Sequence, residues 1–340
     1  MSDRHRRGRP GQRAVEAKES FSNRMIHAHS LAELGTPERP ALLTLGSFDG
    51  VHLGHQALIR GLVAKAQQRD MRAAVVTFFP HPAVVLRGRR PAFYLNTPEE
   101  KAGQLAALGV DVVVTHPFNH EVANITAADF VERLQAALNF KEVWCGADFA
   151  FGHNREGNVA WLKARGGNYG YEVRVVEPMM SGNAVISSSR VRLALTDGNV
   201  GEAADCLGRP FQLNGLVVEG NRRGRTIGVP TANLQLWDEQ AYPARGVYAC
   251  KARIGSEAVN AVANIGVRPT FETDAQPTVE AHLLDFNRDL YGQSLTLDFI
   301  ARLRPEQKFN GVSELVAQIH RDIRSAREIL TSQESGVRSQ

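Results

Sequence analysis

One stretch restricts the fold of this chain more than any other: Leu43-Thr44-Leu45-Gly46-Ser47-Phe48-Asp49-Gly50-Val51-His52-Leu53-Gly54-His55-Gln56-Ala57-Leu58-Ile59. Ala41 to Leu45 is an apolar run of strand length. Gly46 to Gly54 then carries three glycines and an Asp-Gly pair that break regular structure. From His55 onward Leu58, Leu62, Val63 and Ala66 recur at three-and-four spacing, which predicts a helix starting at about His55. The order is strand, glycine loop, helix. Such a turn sets unpaired backbone N–H groups and the positive end of a helix dipole beside His52 and His55, where a phosphate is readily held. Two imidazoles three positions apart can donate hydrogen bonds to phosphoryl oxygens as these gain charge.

Taken alone, a histidine is more often a hydrogen-bonded core or surface residue than a catalytic one. Here the glycine loop and helix entrance supply the context that a lone histidine lacks. A second reading makes His52, His55 and His81 zinc ligands, but no cysteine lies near any of them. The Gly-x-x-x-x-Gly-Lys-Ser/Thr string of a P-loop and the Gly-x-Gly-x-x-Gly of a dinucleotide fold are both missing from the stretch. It resembles instead the His-x-Gly-His signature of nucleotidylyltransferases, which join a nucleoside monophosphate unit from a triphosphate to a phosphorylated acceptor.

At 340 residues with 43% hydrophobic content, the chain can fill two ordinary domains. Cys145, Cys206 and Cys250 are far apart and odd in number, which argues for a reducing compartment rather than a disulfide framework. No apolar run reaches membrane-spanning length and no signal peptide is recognisable, so a cytoplasmic protein without a membrane partner is expected. Residues 1–24 hold seven basic side chains against three acidic ones, an excess equal to the net charge of +4 for the whole chain. The segment reads as a disordered tail rather than a nucleic-acid arm, and Met25 just after it reads as a second start site.

Beyond the first helix, Ala73 to Phe78 reads as a buried strand running into Phe79-Pro80-His81-Pro82, whose prolines fix the loop around His81. Pro98 to Leu108 reads as a helix capped by Thr97. Val110 to Thr115 reads as a strand, Ala127 to Leu138 as a helix, Lys141 to Cys145 as a strand and Tyr171 to Val176 as another. Gly146 to Gly157 is a polar glycine loop. Strands alternating with helices predict a Rossmann-like α/β parallel sheet with helices on both faces, and ligands then sit beyond the carboxyl ends of the strands. The loops bearing His52 and His55, His81, and Asp148 with Gly152 all follow strands and should converge there. Ser187-Ser188-Ser189-Arg190-Val191-Arg192 opens a further helix; serines cap it, and Arg192 one turn in can grip a phosphate.

Past Leu207-Gly208-Arg209-Pro210 the pattern changes to short alternating segments: Leu213 to Val218, Gly246 to Ile254, Val259 to Asn264, Val279 to Phe286 and Leu295 to Ala301. These predict a mostly β antiparallel barrel or sandwich, closed by a helix over about Val312 to Ile329. The loop Gly220 to Asn233 packs three glycines and three arginines, a composition suited to a polyphosphate. Thr231 and Asn233 offer neutral oxygens of the kind Mg²⁺ accepts beside phosphate and water. Alternation sets Glu280 on the face opposite Val279, Ala281 and Leu283, either as a solvated carboxylate or as a base for an alcohol.

Together these runs, with Cys145 to Gly152, Ala263 to Phe271 and Leu303-Arg304-Pro305-Glu306-Gln307-Lys308-Phe309, resemble the bacterial bifunctional riboflavin kinase/FMN adenylyltransferases over about Met25 to Ile329. The resemblance implies an adenylyltransferase domain at 25–207 and a kinase barrel at 208–330; 1–24, which has no counterpart in the family pattern, and 331–340 read as disordered tails outside it. It implies riboflavin, FMN and ATP as substrates with Mg²⁺ as cofactor, no membrane or nucleic-acid partner, and is compatible with a homo-oligomer. ATP of the adenylyltransferase would meet Gly46, Phe48, His52, His55, His81, Ser188, Ser189 and Arg192, with His52 and His55 catalytic and Asp148 near flavin or nucleotide. In the kinase Gly224, Thr231 and Asn233 would bind Mg²⁺ and ATP, with Thr231 and Asn233 as metal ligands, and Glu280 would accept the riboflavin 5′-hydroxyl proton. Phe79 stands where many relatives have glutamate, and Val229 where phenylalanine is frequent. An enzyme with one live activity and a non-catalytic flavin- or RNA-binding regulator are the competing readings; neither explains why both histidines, Thr231, Asn233 and Glu280 are all present.

Overall fold

The computed structural model describes residues 25–88, 92–220, 224, 227–267 and 277–337. The basic segment 1–24, Arg222, Arg223 and Arg225 of the arginine-rich loop, and Arg268 to Phe271 lie outside the described residues. The first half builds a six-stranded parallel sheet. Its strands are β1 (Ile26–Ala28), β2 (Ala41–Leu45), β3 (Arg72–Phe79), β4 (Val112–Pro117), β5 (Phe140–Gly146) and, after a ribbon of β6 (Ala150–Phe151) with β7 (Gly157–Asn158), β8 (Glu172–Val176). The order is β1-β4-β3-β2-β5-β8. β2 lies near the centre and is buried at all five positions, as a strand covered on both faces must be.

Alternation divides the core in two. Leu43, Leu45, Ala74 and Val76 face α5 (below) through Phe130, Val131, Leu134 and Leu138. Leu42, Ala73 and Val75 face the opposite layer, where Ile59, Leu62, Val63, Ala66, Ala102 and Leu105 pack. The helices are α1 (Leu53–Gln68), α2 (Pro82–Arg87), α3 (Pro98–Ala107), α4 (His120–Ala123), α5 (Ala127–Leu138) and α6 (Val159–Tyr169). A ribbon of β9 (Met180–Ser181) and β10 (Ala184–Val185) precedes α7 (Ser188–Thr196) and α8 (Val200–Leu207). Thr97 makes the expected cap of α3 as a full capping box with Glu100.

The second half is a closed antiparallel barrel of β11 (Phe211–Val218), β12 (Ala232–Gln235), β13 (Gly246–Ile254), β14 (Glu257–Val267), β15 (Pro277–Leu283) and β16 (Ser294–Pro305). Two details depart from the sequence reading. Ala232 and Asn233, expected in a loop, open β12; and β15 stops at Leu283 because Asp285 takes a left-handed turn (φ 57°). The closing helix runs Val312–Val337, past the expected end at Ile329, so residues 331–337 are helical and not a tail; no proline interrupts them. Ala326 and Leu330 of that helix pack on Val247, Ala249, Val262 and Leu284.

The two halves share one core. Val191, Ala194 and Leu195 of α7, with Val200, Ala203, Cys206 and Leu207 of α8, belong to the same buried cluster as Phe211, Leu213, Tyr248 and Phe299 of the barrel. Between Tyr94 and Gln240 a parallel bridge adds a main-chain link. Gln240 is 2% exposed, and neither its Nε2 nor its Oε1 has a hydrogen-bond partner among the described residues. A buried amide left unpaired costs about 1–3 kcal/mol. Gln240→Met keeps the shape and removes the polar atoms, so a rise in Tm of about 2 °C is expected by calorimetry; a fall in Tm would show that the amide is satisfied.

Candidate active sites

The loop between β2 and α1 is strained: Phe48 and Val51 take positive φ angles of 46° and 41° beside Gly50 at 79°. A β-branched residue there is a genuine outlier that its surroundings must enforce. The enforcing groups are donors that seize its carbonyls. Lys101 Nζ and Thr77 Oγ1 each donate to Ser47 O at 3.0 Å, and Ser188 Oγ donates to Asp49 O at 2.8 Å. Arg209 Nη2 donates to Gly50 O at 2.8 Å, and Gln56 Nε2 to Val51 O at 2.9 Å. Asp49 itself is buried, accepting from Leu95 N at 3.0 Å and from Arg192 Nη2. Burial pushes its carboxyl above the ordinary range, against the pull of Arg192 and Lys101.

With its carbonyls turned inward, the loop delivers His52 to the head of α1. The helix starts at Leu53, two residues before the expected point, because His52 is its N-cap: His52 Nδ1 accepts from His55 N at 3.3 Å. The neutral imidazole then carries its proton on Nε2 as a donor. The His52 and His55 rings stack 3.6 Å apart at 20°, with Phe48 edge-on to His55. A Cβ on Gly54 would come within 3.2–3.3 Å of the His52 ring, which explains the glycine between the histidines. Burial lowers His52 to about 4 and His55 well below its usual value, the latter helped by His52 and Lys101. Buried Lys101 is in turn lowered to about 8.

His81 is the N-cap of α2, with Nδ1 accepting from Ala83 N at 3.0 Å, and its main-chain N donates to Tyr94 Oη at 2.8 Å. Ser187 caps α7, while Ser188 reaches the loop as described and Ser189 follows in the first turn. Arg192 is largely engaged as a strut: it pairs with Asp49, donates Nε to Phe93 O at 2.7 Å and lies 3.9 Å over the Phe93 ring. Gly46 packs against the Phe48 ring. Asp148 is exposed just beyond β5. Sequence reasoning missed Asp49, Lys101, Arg209 and Phe93. Only Lys101 left a signal, since with Ala102 and Leu105 it falls on the buried face of α3. It also missed a set of rings beyond β3, β4 and β5, where Phe78 meets Phe118 at 5.7 Å and Phe149 stacks on Phe151 at 5.5 Å.

In the barrel, Asn233 stands opposite Glu280, and Glu280 stands opposite Asn264 across the next pair of strands. Their neighbours Val279 and Ala281 are buried, so the three polar groups form a row on the outer face, as alternation predicts. No cation among the described residues pairs with Glu280. The Asn233 carboxamide fills the space where a side chain on Gly220 would lie, and Thr231 Oγ1 is 3.3 Å from the corresponding point on Gly224. The two glycines thus leave the room that the Asn233 carboxamide and the Thr231 hydroxyl occupy. Among the described residues no group of three His, Cys, Asp or Glu side chains could hold a metal by itself.

A family model described as FAD synthetase matches residues 36–190, and one described as riboflavin kinase matches residues 207–330. The chain is 39% identical over 287 residues to a bifunctional riboflavin kinase/FMN adenylyltransferase of Listeria monocytogenes, covering 84% of this chain and 91% of the relative. Proteins of that description from Bacillus subtilis and Escherichia coli are 37% and 39% identical, covering 89% and 88% of this chain and 96% and 95% of theirs. A crystal structure from Streptococcus pneumoniae, described as a macrolide-efflux protein, superimposes with a TM-score of 0.81 at 35% identity over 89% of this chain and 98% of that one. Among the described residues no helix is long and apolar enough to cross a membrane.

The depressed histidine pair has a measurable consequence. A folded-state value near 4 against 6.5 unfolded means the unfolded chain binds the proton first, so stability is lost as pH falls from 6.5 towards 4, by up to about 3 kcal/mol from His52. NMR titration of the His52 ring should give a midpoint near 4 in the free protein and a higher one with ATP bound. A midpoint near 6.5 that ATP leaves unmoved would contradict the geometry.

Proposed function

This chain belongs to the bifunctional riboflavin kinase/FMN adenylyltransferase family, and we propose how its residues divide the two reactions. It phosphorylates riboflavin to FMN with one ATP, then adenylylates FMN with a second ATP to give FAD and pyrophosphate. We assign the second step to residues 25–207 and the first to the barrel, 208–330. The observation that carries the division is chemical: one half holds a stacked, neutral histidine pair at a helix entrance, the other a strand carboxylate that pairs with no cation among the described residues, beside two close-packed glycines.

In the barrel, Glu280 accepts the proton of the riboflavin 5′-hydroxyl as that oxygen attacks the γ-phosphorus of ATP and ADP leaves. Its position between Asn233 and Asn264, with no cation partner among the described residues, supports the role of base. Thr231 and Asn233 would hold Mg²⁺ together with phosphate oxygens beside Gly220 and Gly224. The ion, when bound, offsets phosphate charge. The neutral oxygens of Thr231 and Asn233 fit a cation that arrives with its nucleotide.

In the other half, an FMN phosphate oxygen attacks the α-phosphorus of ATP and pyrophosphate leaves. His52 donates from Nε2 to the oxygens that gain charge, His55 packs behind it, and the first amides of α1 add their dipole. Gly46, Phe48, His81, Ser188, Ser189 and Arg192 border this nucleotide, with Arg192 acting through Asp49. The rings around Phe78, Phe118 and Phe151 offer flat apolar surface for the flavin, with Asp148 at its margin. We place the enzyme in the cytoplasm, in keeping with three free, buried cysteines.

Two variants separate the reactions. Glu280→Gln should lower FMN formation about 10²–10⁴-fold and leave FAD formation from supplied FMN intact. His52→Asn retains a capping side chain but loses the Nε2 donor, and should lower FAD formation about 10²–10³-fold while FMN accumulates. Product chromatography reads both; loss of both reactions in either folded variant would refute the division.

A further inference from the structure

We infer that the barrel segment 237–241 is a working part of the adenylyltransferase site, a brace that positions His81 and Arg192 from the other half of the molecule. The inference rests on the site assignment proposed above, which sets both side chains at the ATP used to adenylylate FMN. Phe93 and Tyr94 carry them. Phe93 accepts Arg192 Nε on its carbonyl and Arg192's guanidinium on its ring, and it meets His81 edge-on at 5.0 Å. Tyr94 Oη accepts from the main-chain N of His81.

Neither residue belongs to a helix or strand of its own half. Both are anchored in the barrel. Phe93 N and Tyr94 N each donate to Glu239 O, at 2.8 and 3.0 Å, and Ala241 N returns a bond to Tyr94 O at 2.7 Å. Trp237 closes the brace by packing at a tilt against Tyr94 at 4.9 Å and approaching Phe79 at 6.0 Å, while Phe79 lies 5.6 Å from Tyr94. Phe79 immediately precedes the Pro80-His81 turn, so this aromatic cluster holds the His81 loop at Phe79 and, through Tyr94 Oη, at the His81 main-chain N. Phe93 and Tyr94 are buried at 8% and 4% exposure, so a shift of either ring disturbs the groups packed on it. Removing the Trp237 ring would leave a hole under Tyr94, and the shift would pass to the His81 main chain and the Phe93 carbonyl. A misplacement of about 1 Å at a reacting group can cost two orders of magnitude in rate.

The test uses the full chain and measures the two reactions separately, with FMN and ATP for one and riboflavin and ATP for the other. Trp237→Ala should lower kcat for FAD formation about tenfold or more, with riboflavin phosphorylation held within about threefold of the parent. Trp237→Phe should restore FAD formation to within about threefold, and Tyr94→Phe, which keeps the packed ring and loses the hydroxyl, should lower it about fivefold with Tm preserved. FAD formation unchanged in both Trp237→Ala and Tyr94→Phe, or both reactions falling together, would overturn the brace. His81→Ala and Arg192→Ala are assayed alongside. If these two leave FAD formation untouched, the site assignment has failed; if they lower it while Trp237→Ala does not, the brace alone has failed.

Discussion

Everything at the first site depends on the capture of main-chain carbonyls between Ser47 and Val51 by donors from distant parts of the chain. Lys101, Thr77, Ser188, Arg209 and Gln56 come from three helices, a strand and the junction with the barrel, and all end on this one turn. Their bonds hold Phe48 and Val51 at left-handed angles that neither residue would choose alone. A turn held in this way cannot relax when a charged ligand arrives. The same donors place cations behind the loop, so the buried Lys101 and the half-buried Arg209 add their field to that of the helix dipole.

The two proposed sites would hold phosphates by different physics. At α1 the donors are a neutral imidazole and helix amides, whose strength comes from burial and fixed direction. In the barrel the proposed groups are uncharged oxygens and one carboxylate on an outer strand face that pairs with no cation among the described residues, a setting that would need a cation to accompany the nucleotide. The sites are nevertheless parts of one body. Helices α7 and α8 sit in the barrel's core, Arg209 just past α8 braces the loop at Gly50, and the strand that bears Asn233 runs on within a few residues to Trp237 and Glu239.

How far the sequence could be read follows from the range of the forces involved. The strand, loop and helix around His52 were legible because apolar periodicity and glycines act locally, and the outward face of Glu280 followed from alternation between buried neighbours. The start of α1 was misjudged because a histidine is an unusual cap, so nothing marked His52 as the residue that accepts from His55 N. Strand β12 was hidden by the glycine and arginine content just before it, and β1 is too short to show a period. The contact of Phe93 and Tyr94 with Glu239 joins segments nearly half the chain apart, and such pairing leaves no pattern in either segment. Arg192 was expected to grip pyrophosphate from its place in α7; its bond to Asp49 could be seen only once the two loops were brought together.

The most direct test of this account is a crystal structure with a non-hydrolysable ATP analogue and FMN, examined at the turn between β2 and α1. The account predicts a triphosphate against His52 and the first amides of α1, with Phe48 and Val51 still at positive φ and the Ser47 to Val51 carbonyls still bonded to Lys101, Ser188, Arg209 and Gln56. A nucleotide bound elsewhere in that half, or a turn that lets go of these donors to receive it, would contradict the claim that the site is built before its ligand arrives.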